Sequence, residues 1–237
     1  MIERTSSNAP IWIGARVLTA DLPIDKEAAE AVLPPGLTLV DPPTATVFVA
    51  SYPATTFGSV YREAGLFLHA QDARGPALHC VWMVVDDDTA LILGRELLGM
   101  PKKLADITLD ERGDRVVGLV RRKGTEVLRV EADLGVADPD PPAMFGRRMV
   151  NLFGSIIDGM KLLDLPSSRE TIHAARRGHG TVQLSSSDRD PLGELAGSVE
   201  VDVRFLVMDF GSSQGQPEVL GAVDSAWSLT RFFARAM

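Results

Sequence analysis

The sequence predicts a mainly β (α+β) fold, an antiparallel β-cone or barrel with peripheral helices, formed by a single domain over residues 1–237. Three observations lead there. Seven apolar, β-branched segments follow one another between residues 44 and 134, each bounded by Gly, Pro or acidic residues. Connections such as Arg112-Gly113-Asp114 and Lys123-Gly124-Thr125 are too short for crossovers and favour hairpins. With 237 residues, 45% of them hydrophobic, and a mean hydropathy of +0.08, the chain can bury a large core.

In chain order, Asp25 to Leu33 reads as a short helix capped by Asp25 and ended by Pro34-Pro35-Gly36. The strand candidates that follow are Thr44 to Tyr52, Val60 to His69, Ala77 to Asp86, Thr89 to Gly94, Leu104 to Asp110, Arg115 to Arg122 and Glu126 to Leu134. Asp86-Asp87-Asp88 reads as a solvated hairpin turn between two of them. The loop Ala137-Asp138-Pro139-Asp140-Pro141-Pro142 precedes a helical candidate from about Ala143 to Phe153. Thr181 to Ser185 and Val199 to Met208 return as strands, and Ser225 to Arg235 forms a terminal helix whose apolar face suits oligomerisation.

Composition removes several classes of function. A net charge of −8 with no basic stripe argues against nucleic acid as a partner. Cys80 is the sole cysteine, so no disulfide within the chain and no Cys-rich metal site can form. His69, His79, His173 and His179 lack metal-ligand spacing on a shared helix, and no metal is expected. Ser185-Ser186-Ser187 has no Gly-x-Ser-x-Gly elbow, and Gly178-His179-Gly180 is too short to cradle a phosphate. Met1 to Asn8 lacks the basic start and apolar segment of a secretory signal, and no apolar run suggests a membrane span. The expectation is a cytoplasmic protein without membrane contact.

Chemistry points to Gly94-Arg95-Glu96-Leu97-Leu98-Gly99-Met100-Pro101-Lys102-Lys103-Leu104. Lys102 and Lys103, the first catalytic candidates, follow a proline and interrupt an apolar run, where burial would disfavour the charged form of an amine. A free amine is the nucleophile that carbonyl substrates require. Lowering a lysine pKa from its usual value near 10.4 to about 7 corresponds to roughly 4 to 5 kcal/mol. If residues 102 and 103 are extended, their side chains point to opposite faces, which leaves desolvation rather than mutual repulsion as the main cause. Arg95 and Glu96, being adjacent, cannot pair on one strand face, and each is expected to support a different part of a buried loop.

The spacing Gly94-Arg95-Glu96-x-x-Gly-x-Pro101-Lys102-Lys103 resembles the signature of the acetoacetate decarboxylase superfamily. Ala31-Val32-Leu33-Pro34-Pro35-Gly36-Leu37 and Tyr61-Arg62-Glu63-Ala64-Gly65 are similar to two further family segments, and Asp190-Pro191-Leu192 is a fainter echo. The resemblance implies that Lys102 forms a Schiff base with a ketone, that Glu63 orients substrate or handles protons, and that Arg16 receives a substrate carboxylate. It also implies a homo-oligomer, a small keto acid or other carbonyl substrate, and no cofactor. Acetoacetate decarboxylase is itself the standard example of a lysine activated in this way, so the depressed pKa belongs to the resemblance.

The chain departs from the family at one position. A further acidic residue expected on the strand before Glu63 is missing from Thr46 to Ser51, where Phe48 stands nearest. A more apolar pocket that admits a larger acyl chain follows, with Phe48 as a substrate-binding candidate. Aldolase-dehydratase relatives are associated with a glutamine four residues before the lysine, where this chain has Leu98. The reading is a Schiff-base decarboxylase of a β-keto acid, with an aldolase or dehydratase and a non-catalytic binding protein as its alternatives.

Overall fold

A computed structural model describes residues 9–236 apart from 156 and 214, so the expectation for Met1 to Asn8 lies outside the described residues. The chain begins with β1 (Trp12–Pro23), α1 (Lys26–Val32) and the short β2 (Thr38–Leu39). Next come β3 (Thr44–Tyr52), β4 (Ala54–Thr55), β5 (Tyr61–Asp72) and β6 (Gly75–Val85). Helix α2 (Asp88–Leu98) leads to β7 (Lys102–Leu104), β8 (Asp106–Arg112), β9 (Arg115–Arg122) and β10 (Thr125–Ala137). After a loop, β11 (Met149–Ser155) and β12 (Gly159–Leu165) precede β13 (Ser168–Leu184), β14 (Ser186–Ser187) and β15 (Asp190–Pro191). The described chain closes with β16 (Ser198–Ser213), β17 (Glu218–Ala222) and α3 (Ser225–Ala236). The apolar face expected of α3 rests partly on side chains outside the described residues.

One sheet takes the order β17-β12-β11-β6-β5-β3-β1-β16-β13-β10-β9-β8, with β7 added on β6. Pairing is antiparallel except where β6 meets β7 and β11. Among the described residues the path stays open, which corrects the expected barrel: β9 closes over β3 through side chains instead of backbone bonds. Gly118 makes that approach, since a Cβ there would stand 2.8 Å from the Val49 side chain.

Strand alternation divides the core between the two faces of the sheet. On β1, Ala15 and Val17 join an aromatic-rich cluster with Phe48, Tyr52, Tyr61 and Phe67, while Leu18, Ala20 and Leu22 join an aliphatic cluster with Val49, Leu66 and Val84. β7 extends both sides at once, because Lys102 is in register with Met83 and Lys103 with Val84.

Two expected elements are overturned. Thr89 to Gly94 is part of α2 instead of a strand, and Asp87 is its N-cap, not a hairpin turn: its side chain accepts from Ala90 N at 2.7 Å. The apolar run buries only Ala90 and Gly94, the i, i+4 spacing of one helical stripe. The helical candidate Ala143 to Phe153 is instead a loop followed by β11, whose Asn151 is fully buried and accepts from Cys80 N at 3.1 Å.

The loop before β11 is pinned at two points. Glu170 on β13 accepts from the backbone N–H groups of Met144, Phe145 and Gly146, a nest for one carboxylate. Arg148 donates to both Asp72 and Asp164 at 2.8 to 3.0 Å and joins the β5–β6 hairpin to β12. The Arg148 guanidinium holds the Asp72 carboxyl below its usual range. A carboxylate whose folded pKa is depressed contributes stability above its unfolded pKa, near 4, and loses it as pH falls through the folded value. Arg148→Met is therefore expected to cost about 2 to 3 kcal/mol at pH 7 and distinctly less at pH 3, as read from urea midpoints.

Candidate active site

The site is assembled across β3, β5, β6 and β7. Lys102, Met83, Gly65 and Phe48 form one cross-strand row on the aromatic face, with Glu63 one pair further along β5. Gly65 has no side chain, and the Phe48 ring occupies its place: a Cβ there would stand 2.6 Å from Phe48 Cε1. Lys102 Nζ donates to Glu63 Oε2 at 2.5 Å, and the two residues are each 6% exposed. Tyr52 OH donates to the other oxygen at 3.4 Å, and the Tyr61 ring centroid lies 5.7 Å from the amine. Burial, followed by the charge of Glu63, raises the pKa of both tyrosines, so they remain hydroxyl donors.

Helix α2 covers the lysine. Gly94 faces its side chain so closely that a Cβ would fall 2.4 Å from Cε and 2.5 Å from Cδ. Gly99 ends the helix at φ 62°, a left-handed residue whose Cβ would also strike Leu152 O at 2.5 Å, so both conformation and space demand glycine. Arg95 Nη1 donates to Lys102 O at 3.0 Å, and Asn151 Nδ2 donates to Leu98 O at 3.0 Å. Arg95 thus ties the end of α2 to the strand that carries Lys102. Glu96 is exposed on the outer side of the helix, which corrects its assignment to a buried loop.

Lys102 and Glu63 open into a cavity of about 250 Å³. Its walls are largely apolar: Trp12 stacks on Phe210 at 4.7 Å, and Phe210 stacks on Phe145 at 4.3 Å. Phe48 is fully buried behind this lining, edge-on to Phe145, and shapes the cavity from beneath. Arg147, Tyr52 and Ser168 also line it, none of them singled out by sequence.

Lys103 and Arg16 belong to the other face, so Lys103 does not share the Lys102 cavity, which corrects its place among the catalytic candidates beside Lys102. Lys103 Nζ donates to Asp190 Oδ1 at 3.0 Å and borders a separate cavity of about 140 Å³. Asp190 also accepts from Arg122 Nη1 at 2.8 Å and Trp82 Nε1 at 2.9 Å. Desolvation lowers the Lys103 pKa, partly opposed by the Asp190 charge. Arg16 is in register with Ser51 and Arg62, one residue out of phase with Glu63, and pairs with Glu111 over the Phe205 ring. This parity corrects its assignment to a substrate carboxylate in the Lys102 cavity.

A sequence profile described as "Acetoacetate decarboxylase (ADC)" matches residues 3–210. Acetoacetate decarboxylase 3 of Mesorhizobium japonicum is 35% identical over 95 residues, a stretch that covers 39% of this chain and 36% of that protein. The chain thus spans little more than a third of the length of the curated relatives it matches. The acetoacetate decarboxylase of Legionella pneumophila has the same fold at a TM-score of 0.76 and 18% identity, covering 90% of this chain and 88% of its own. The enduracididine biosynthesis enzyme MppR, complexed with pyruvate, matches at 0.76 and 19%, covering 93% and 94%.

Two stability contrasts follow. Asp190→Ala removes the shared partner of two buried cations and is expected to cost about 3 to 5 kcal/mol, whereas Lys103→Met leaves Asp190 paired with Arg122 and costs far less. Chemical denaturation of the two variants checks this; equal losses would contradict it. Gly94→Ala adds helix propensity, worth about 1 kcal/mol, but its Cβ pushes the Cδ–Cε end of the buried Lys102 away from Glu63, and disturbing a buried ion pair costs more than that gain. Its melting temperature is expected to fall with the fold kept, while the reactivity of Lys102 toward an aldehyde probe, read by peptide mass after borohydride, falls tenfold or more, a misplacement effect of about the usual size.

The profile match spans most of the chain, and the fold agrees with it: this protein belongs to the acetoacetate decarboxylase family.

Proposed function

We propose that the protein is a Schiff-base lyase that decarboxylates a β-keto acid, with Lys102 as nucleophile and Glu63 as its proton partner. The observation that carries this reading is the contact between a buried amine and a buried carboxylate, 2.5 Å apart, in a cavity with otherwise largely apolar walls. An amine must be unprotonated to attack a carbonyl. Glu63 is placed to accept that proton and return it.

Attack forms the Lys102 N–C bond and drives the carbonyl pair onto oxygen. Loss of that oxygen as water, with a proton returned from Glu63, gives an iminium ion. The bond to the carboxylate carbon then breaks, its electron pair flows into the iminium to give an enamine, and carbon dioxide leaves. Protonation at carbon and hydrolysis release the ketone and free the amine. Apolar walls favour the step in which the substrate carboxylate loses its charge. Tyr52 and Tyr61, kept as hydroxyls, hold Glu63 and the aromatic wall in position.

A second reading, aldol or dehydration chemistry through the same iminium, draws on Phe48. With this ring buried where the decarboxylases carry another acid, Glu63 is the carboxylate beside the amine.

Incubation with acetoacetate and longer β-keto acids, followed by borohydride, separates these readings. The expected result is a mass increase on the Lys102 peptide with carbon dioxide release, both absent in Lys102→Ala. Turnover that survives in Lys102→Ala would overturn the nucleophile. Adduct without gas favours the second reading, and no adduct with any carbonyl compound favours a non-catalytic binding protein.

A further inference from the structure

The Lys102 cavity has a second polar end. Alternation along β5 puts Glu63, Gly65, Phe67 and His69 on one face, and six residues at ~3.3 Å each separate Glu63 from His69 by about 20 Å along the strand. Lys102 meets the Glu63 end. Arg147 meets the other, with Nη1 3.4 Å from His69 Nε2, and it lines the same cavity as Lys102. The lining between them is apolar, with Phe67, Phe145, Met149 and Leu165 prominent.

Arg147 differs from the arginines around it. Arg148 is held by Asp72 and Asp164, Arg204 by Asp138, and Arg16 by Glu111. Among the described residues, no carboxylate oxygen lies within 4 Å of the Arg147 guanidinium. Asp21 lies in a neighbouring pocket that Arg147 also borders; it accepts from Thr46 Oγ1 at 2.5 Å and lies 3.6 Å from His69 Nε2. Against burial, these contacts with His69 and Thr46 and the nearby charge of Arg147 hold its carboxyl below the usual range. The segment that carries Arg147 is held in place by the Glu170 nest at residues 144–146 and by Arg148. A half-buried guanidinium, fixed at the end of an apolar cavity with donors to spare, is suited to a carboxylate.

We propose that Arg147 is the anion anchor of this cavity and that the substrate is a β-keto acid with a second carboxylate at the far end of an apolar chain, remote from the reacting carbonyl. This rests on the reading of Lys102 as the carbonyl-binding amine and specifies what fills the remainder of the cavity. The carboxylate of acetoacetate is only two bonds from its ketone carbon and cannot reach from Lys102 to Arg147. A long oxo acid satisfies both ends and places its methylenes against the aromatic wall.

The test compares wild type, Arg147→Met and Arg147→Lys, each with its melting temperature checked, on three probes. Borohydride trapping at Lys102 is measured with 11-oxododecanoate and with neutral 2-dodecanone, and dodecanoate binding is measured by calorimetry. Arg147→Met is expected to lower trapping of the oxo acid and affinity for dodecanoate by about 10- to 100-fold, the scale of a lost charged hydrogen bond. It should leave 2-dodecanone within twofold, and Arg147→Lys should recover part of the loss. An unchanged ratio of oxo acid to ketone trapping, or dodecanoate binding that is absent or indifferent to Arg147, overturns the anchor. Arg147-dependent dodecanoate binding without trapping of any carbonyl compound would instead sustain the anchor and overturn the role given to Lys102.

Discussion

A three-residue strand governs the site. In β7 consecutive side chains must leave opposite faces of the sheet, and both faces are interior. Two adjacent lysines therefore enter two separate cores, where an uncompensated ammonium would be very costly. Each core answers with a carboxylate, Glu63 for Lys102 and Asp190 for Lys103. The amines are kept apart by the sheet itself, so burial and a separate counter-ion, which Lys103 shares with Arg122, set the surroundings of each.

From that constraint the neighbouring structure follows. Gly94 allows α2 to lie on the Lys102 side chain, and Gly99 turns the chain sharply enough to bring Met100 and Pro101 back to β6. Asn151 binds the turn to β11, so the lysine is enclosed by helix, sheet and hairpin. On the aromatic face this enclosure leaves a cavity in which a single amine–carboxylate contact faces stacked rings. Low polarity there makes the placement of each remaining charge decisive, because little water competes for it.

The family fold supplies this frame, and the side chains on the aromatic face set what enters it. Phe48 fills the space left by Gly65 and removes an acid that the family resemblance would place nearby. Glu170, held above its usual carboxyl pKa by burial and partly restored by the backbone donors of Gly146, Met144 and Phe145, fixes the loop that brings Phe145 and Arg147 over the cavity.

Local pattern was enough for much of this molecule. Thr44–Tyr52 and Arg115–Arg122 are strands with the limits their β-branched runs and turn residues imply, and the Pro-Lys-Lys spacing together with Tyr61 to Gly65 singles out Lys102 and Glu63, two residues that the fold brings into contact. Parity along an extended pair also foretold that Lys102 and Lys103 would separate. What sequence could not decide were the choices made by partners distant in the chain. Thr89 to Gly94 and Met149 to Ser155 are apolar runs compatible with either helix or strand; the first is a helix whose Asp87 cap is local but whose place over Lys102 is set by the fold, and pairing with β12 settled the second. Arg16 is separated from the Lys102 cavity only by its register against β3, and Asp190 and Arg147 reach their sites across sequence separations of 87 and 78. Periodicity and motif act over a few residues, whereas a buried charge is assigned its partner by the whole fold, because only the folded chain determines which groups lose water together.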